Sequence, residues 1–228
     1  MMEPFVRDFI SSKYYQKLFD FDDVIMIYIC GSRTLGCVDD RSDYDIMVVT
    51  EHKSSYFQTE FLLYKGIKVH WYFQCINAFF GNQDLTMANC IGLTGINYLN
   101  DNLIIYKNSK YENIIEDLLS KKETVSYLGD ILGYQHKKYL IDSIVSDGFI
   151  SDKNKTKHLY MLCAMYYDIT KQNLDIEFLT KIKRIRWQEI DEKYLKQCVD
   201  ILGKFKDYMQ NIDIDEEVKK IREKLAIK

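Results

Sequence analysis

Residues 24–50 run VIMIYICGSRTLGCVDDRSDYDIMVVT. Val24 to Cys30 is a continuous apolar run rich in β-branched residues and stopped by Gly31, which predicts a buried central strand. Tyr44 to Thr50 predicts a second strand of the same kind. The segment between them, Ser32 to Ser42, is polar and contains Gly36, so it reads as a loop or one short helix. A strand that ends in Gly31-Ser32 offers free backbone N–H groups, a hydroxyl and close approach, a combination suited to an anionic phosphate chain. Asp43 and Asp45 stand two apart at the mouth of the second strand, so their side chains share one face. Two carboxylates on one face hold hard divalent cations. Mg²⁺ held in this way neutralises charge on a transferring phosphoryl group and orients in-line attack.

Working outward, Tyr56 to Tyr64 and Ile67 to Phe73 predict two further strands, with Lys65-Gly66 as a hairpin turn. After about Ile76 the apolar period changes from 2 to 3.6. Ile114, Ile115, Leu118 and Leu119 form one helical stripe; Val125, Leu128, Leu132, Leu140, Ile144 and Val145 form another. Leu159, Leu162, Cys163, Tyr166 and Ile169 form a third, with more helices near 176–185, 192–209 and 214–226. Upstream, Phe5, Val6, Phe9, Ile10, Tyr14 and Leu18 predict an amphipathic helix. The fold class expected is therefore α/β in the broad sense (α+β): a sheet-bearing domain over residues 1–110 and an all-helical domain over 111–228.

Composition narrows the function classes. The 228 residues are 47% hydrophobic and 29% charged, as in a folded globular protein. A formal net charge of -3 gives no global attraction to polyphosphate, which argues against a protein that coats nucleic acid. The cysteines at 30, 37, 75, 90, 163 and 198 contain no C-x-x-C pair, so they read as reduced apolar residues rather than a zinc site or a disulfide framework. The amino terminus lacks the basic and apolar regions of a signal peptide. No later stretch reaches the run of about 18 apolar residues needed to span a bilayer. These features lead to the expectation of a cytoplasmic protein without a membrane partner.

Gly31-Ser32, ten intervening residues and Asp43-x-Asp45 match the G-S-x10-D-x-D signature of the DNA polymerase β-like nucleotidyltransferase superfamily. GSRTLG followed by SDYDIMVV resembles its small bacterial and phage members in particular. Four fixed residues at about 5% each would match by chance in roughly one sequence of this length in a thousand. The resemblance covers about residues 24–75; in the helical half it rests on layout alone. It implies that Gly31 and Ser32 bind a nucleoside triphosphate, ATP first among them, and that Asp43 and Asp45 bind Mg²⁺, or Mn²⁺ in its place. The acceptor that receives the nucleotide is left open. RNA is one candidate, though the net charge does not favour it.

The resemblance also implies a third carboxylate on a later strand, as metal ligand or general base. In Gly66-Ile67-Lys68-Val69-His70-Trp71-Tyr72-Phe73 that position falls on His70. Alternation along this strand sets Lys68, His70 and Tyr72 on one face, expected toward the cleft, and Val69, Trp71 and Phe73 on the other, expected as the bulkier apolar set in the core beneath the helices. Histidine can take a proton from an acceptor hydroxyl but is a poorer ligand for Mg²⁺, so His70 is the third catalytic candidate and Glu60, one strand earlier, the reserve. The departure opens an alternative: a nucleotidyltransferase fold that binds nucleotide or a partner without turnover. Weaker features are Lys153, Lys155, Lys157 and His158, read as a solvated helix start from which a lysine could alternatively reach the triphosphate. Lys181, Lys183, Arg184 and Arg186 beside Trp187 read as a solvated helix face that could alternatively bind RNA, as an RNA-modifying nucleotidyltransferase would require. His52 and His136 have no partner at ligand spacing in the sequence.

Overall fold

The computed structural model describes residues 21–38, 42–52, 59–64, 67–80, 95–148, 159–183 and 191–226, together with Asp8 and Leu93; at Phe21, over 59–64 and at Ile67 it describes the backbone alone. The amphipathic stripe at the amino terminus, the Lys65-Gly66 turn, Lys153 to His158, the stretch from Arg184 to Trp187 and the side chain of Glu60 lie outside the described residues.

The fold is α+β. Five strands, β1 (Val24–Cys30), β2 (Tyr44–Thr50), β3 (Thr59–Tyr64), β4 (Ile67–Cys75) and β5 (Ile104–Lys107), form one mixed sheet in the order β3-β4-β2-β1-β5. β1 and β2 run antiparallel with Cys30 opposite Asp45, and β2 runs parallel to β4 with Asp45 opposite His70. The two strands with unbroken apolar runs sit at or beside the sheet's centre, as burial on both faces requires. Every residue of β1 is buried.

The strand β5 corrects the sequence reading, which placed no strand beyond Ile76. Only four residues long, it carries no alternation to read, and it forms by pairing with β1. A second correction concerns β4. Alternation does separate Lys68, His70 and Tyr72 from Val69, Trp71 and Phe73, but the second set was expected beneath the helices. Val69, Trp71 and Phe73 instead join Val24, Ile27, Ile29, Tyr44, Ile46 and Val48 in a separate apolar cluster. The face bearing Tyr72 is the one whose core continues into the helical half.

Seven helices are described: α1 (Ile76–Phe79), α2 (Glu112–Ser120), α3 (Lys122–Asp147), α4 (Leu159–Ile169), α5 (Ile176–Lys183), α6 (Glu192–Gln210) and α7 (Ile214–Leu225). All of α4 except Tyr160 is buried, as expected of a helix that is apolar all round and surrounded by others. Its Asp168 carboxylate accepts hydrogen bonds from Asn97, Tyr98 and Ser126, tying the turn before β5 to the helices. Asp191 and Asp213 cap α6 and α7 by accepting backbone N–H bonds. Asp175 does the same for Phe178 in α5. Cys30, Cys37, Cys75, Cys163 and Cys198 are free and buried. Among the described residues, no helix is long and apolar enough to cross a membrane.

Candidate active site

The loop from Gly31 to Ser42 turns immediately after β1. Gly31 opens it with φ of 69°, a left-handed conformation that suits glycine. It has a second reason to be glycine: a Cβ there would overlap Oδ2 of Asp45, so the missing side chain makes room for that carboxylate. Gly31, Ser32 and Arg33 form a single 3₁₀ turn, and the Cys37 N–H closes the loop on the Ser32 carbonyl at 2.8 Å.

Two devices hold the loop. Arg33 donates to the carbonyls of Asp43 (3.2 Å) and Ser42 (3.2 Å) and lies 3.5 Å over the Tyr44 ring. One side chain therefore fixes the backbone that leads into β2. The second device is α5, whose residues 176, 180 and 183 share one helical face. Ile176 lies beside Gly36, Thr180 is near enough to the Cys37 thiol to bear on its titration, and Lys183 reaches Ser32. Burial, as the largest cause, pushes the Cys37 thiol up to about 11. Lys183 is itself buried; its Nζ donates to Ser32 Oγ (2.6 Å), Ser42 Oγ (2.9 Å) and, more weakly, the Cys37 carbonyl (3.5 Å).

Against this loop stand the acidic residues. Asp43, Asp45 and His70 each offer a ligand atom, and these atoms lie within 4.8 Å of one another. His70 Nε2 is 3.8 Å from Asp43 Oδ2, and Nδ1 is 3.4 Å from Asp45 Oδ1. The side chains are 28%, 20% and 16% exposed for His70, Asp43 and Asp45, enough for a ligand to enter and enough burial to strengthen electrostatics. The register brings them together: Asp45 and His70 are direct partners across the parallel pair, so their side chains emerge on the same face. The Asp45 hydrogen bond, then the charges of Asp45 and Asp43, hold the His70 imidazolium above the ordinary histidine range, against the opposing effect of burial.

Tyr72, two residues further on the same face, donates to Asp45 Oδ1 at 2.9 Å and lies 3.4 Å from His70 Nδ1. Burial and the Asp45 charge raise its phenol far above the ordinary tyrosine value, so it stays a donor.

The structure thus places Asp43, Asp45 and His70 together beside Gly31, with Ser32 linked to the helical half. Two residues of this constellation were not read from sequence. Lys183 was taken for part of a solvated basic face, yet it follows Leu179 and Ile182 on the buried stripe of α5, and a lysine on an apolar stripe was the available signal. Tyr72 was placed on the correct face without a role for its hydroxyl. Lys181, by contrast, is exposed as expected.

No protein-family model matches the chain, and no curated protein matches it. Among solved structures it is similar to a nucleotidyltransferase-like protein from Exiguobacterium sibiricum 255-15, with 12% identity and a TM-score of 0.34 over 88% of this chain and 73% of that one. The chemistry of the site therefore rests on its own residues.

Proposed function

We propose that this protein is a metal-dependent nucleotidyltransferase that moves a nucleoside monophosphate from a nucleoside triphosphate to a hydroxyl or phosphate on an acceptor, releasing pyrophosphate. The observation that carries the reading is the convergence of Asp43 and Asp45 on the loop opened by Gly31-Ser32. The donor set fits a divalent ion: two carboxylates on one face, partly exposed, with room left for one of them by a glycine. Asp43 and Asp45 would hold it, and when bound it supplies charge neutralisation at the phosphoryl group.

The chain's own groups do the rest. The Gly31-Ser32 turn lets phosphate oxygens approach the backbone, while the buried Ser32 hydroxyl ties that turn to Lys183. Lys183 supplies positive charge to the same loop and ties it to α5. Arg33 holds Ser42 and Asp43 in place, so the distance between phosphate loop and carboxylates stays fixed during transfer. His70, beside both carboxylates, would serve as a metal ligand or as a base toward the acceptor hydroxyl. ATP is the donor to test first.

Incubation with α-labelled nucleoside triphosphates, Mg²⁺ or Mn²⁺ and a cell extract tests the reading. Label entering RNA, protein or a small molecule with equimolar pyrophosphate is the expected result. It should be lost in Asp43→Ala and Asp45→Ala while circular dichroism stays unchanged. Unaltered metal-dependent triphosphate affinity in both variants would end the proposal. A second reading, a binding module without turnover, is favoured by one observation: His70 forms ion-pair contacts with both carboxylates where a third carboxylate was expected. Tight metal-dependent binding without pyrophosphate release would select it.

A further inference from the structure

The donor set at this site is not uniform. Asp43 and Asp45 contribute carboxylate oxygens, but the third group within reach is an imidazole. Its nitrogens stand 3.4 and 3.8 Å from carboxylate oxygens. Ligand atoms at adjacent positions around one small divalent ion stand about 3 Å apart, given metal–ligand bonds of about 2.1 Å. Of the observed separations, the 3.8 Å between Nε2 and Asp43 Oδ2 is between atoms that could share an ion, and one ligand atom from each of the three residues lies within 4.8 Å of the others. The set is therefore open, and side-chain rotations that draw the atoms together would close it.

Tyr72 decides which atoms face inward. Its hydroxyl donates to Asp45 Oδ1 and lies on the Nδ1 side of the imidazole. Asp45 Oδ2 is the oxygen that borders Gly31, and Nε2 is the nitrogen turned toward Asp43. One tyrosine thus turns a carboxylate oxygen toward the phosphate loop and orients the ring, the usual task of a residue behind a metal ligand.

We propose that His70 Nε2 is the third protein ligand of the ion held by Asp43 and Asp45, and that this nitrogen makes the site prefer a borderline first-row ion, Mn²⁺ or a later member of the series, over Mg²⁺. Two effects act together. Mg²⁺ gains little from an imidazole, whereas affinity for nitrogen rises along the series beyond Mn²⁺. Replacing a carboxylate by a neutral ring also removes one negative charge, which costs most for the ion that depends most on electrostatics. The inference rests on the metal-site reading above and adds the identity of the ion and the atom that selects it.

The test uses the full chain without nucleotide. Mn²⁺ binding is followed by electron paramagnetic resonance, and Mg²⁺ by its displacement of Mn²⁺, in the wild type and in His70→Asp, His70→Ala and Asp43→Ala. In the wild type, pulsed spectra of bound Mn²⁺ should show coupling to a histidine nitrogen, and both His70 substitutions should remove it. His70→Asp should move the Mn²⁺-to-Mg²⁺ preference toward Mg²⁺ by roughly tenfold or more. Bound Mn²⁺ without nitrogen coupling, or an unchanged preference in His70→Asp, overturns this inference and leaves the transferase reading standing. Absence of any Asp43-dependent binding by the wild type overturns both. The wild-type spectrum is decisive even where a substituted chain fails to fold.

Discussion

The β1–β2 pair carries a carboxylate–histidine cluster at each end, and the two ends differ in what neutralises them. At one end Asp43, Asp45 and His70 face the Gly31 loop; at the other, about 20 Å away along seven-residue strands, Asp23, Glu51 and His52 also bring ligand atoms within 4.8 Å. In the far cluster Glu51 accepts from the Tyr111 hydroxyl and lies 3.8 Å from Lys110, while His52 is 78% exposed. Its charge is already answered by fixed donors in open solvent. In the near cluster the group lodged between the two carboxylates is the half-buried imidazole of His70. Residue type and spacing are shared by both ends; burial and the adjoining loop are not.

The largest effect that tests this contrast is on binding. Asp43→Ala and Asp45→Ala should each cost more than the roughly 10–100-fold in metal-dependent triphosphate affinity that losing a merely orienting neighbour costs. Asp23→Ala and Glu51→Gln should leave that affinity unchanged in calorimetry. Equal losses at both ends would dissolve the distinction.

Next comes Gly31→Ala. A left-handed φ costs a non-glycine residue about 1–3 kcal/mol, and here the new methyl must also push Asp45 aside. We expect a lower melting temperature together with lost metal binding. Gly148→Ala, at the end of α3 with φ of 68° and nothing within 4 Å of the added atom, should show the strain alone.

Smaller again is Lys183→Met, which leaves the buried Ser32 hydroxyl without its donor and should destabilise by about 1–3 kcal/mol in denaturant titration while weakening triphosphate binding. Lys181→Met, on the exposed side of the same helix, should stay within about 0.5 kcal/mol.

The smallest difference is in pH response, and the two ends should respond with opposite sign. The folded state raises the pKa of His70, so its stabilisation is complete below the unfolded value near 6.5 and is lost as pH rises through the folded value. Glu51 is held below its ordinary value, first by the Tyr111 hydrogen bond, so its contribution is present above about pH 4.3 and fades as pH falls through the folded value. In metal-free buffer, His70→Gln should flatten the alkaline side of the stability profile and Glu51→Gln the acidic side.

What could be read in the sequence follows from how each feature is encoded. β1, β2 and the site carboxylates were legible because unbroken β-branched runs, strand alternation and a two-residue spacing are local facts. The face of β4 that carries His70 was legible for the same reason. The reason given for it failed, because both faces of the sheet bear apolar clusters and bulk alone does not say which lies under helices. β5 escaped because a four-residue strand is specified by its partner. Lys183 escaped because its role depends on where α5 packs, and Lys-rich helix ends are usually solvated.

The bond between Lys183 and Ser32 joins residues 151 positions apart. On a ribosome adding about 5–20 residues per second, the β1 loop emerges on the order of ten seconds before the lysine that secures it. The nascent chain can pair its first strands early, but Lys183 cannot secure the Gly31-Ser32 turn until the helices α2 to α5 have been made. The candidate site is therefore among the later parts of the molecule to mature, and a chain interrupted before Lys183 would carry Asp43 and Asp45 beside a loop held by Arg33 alone.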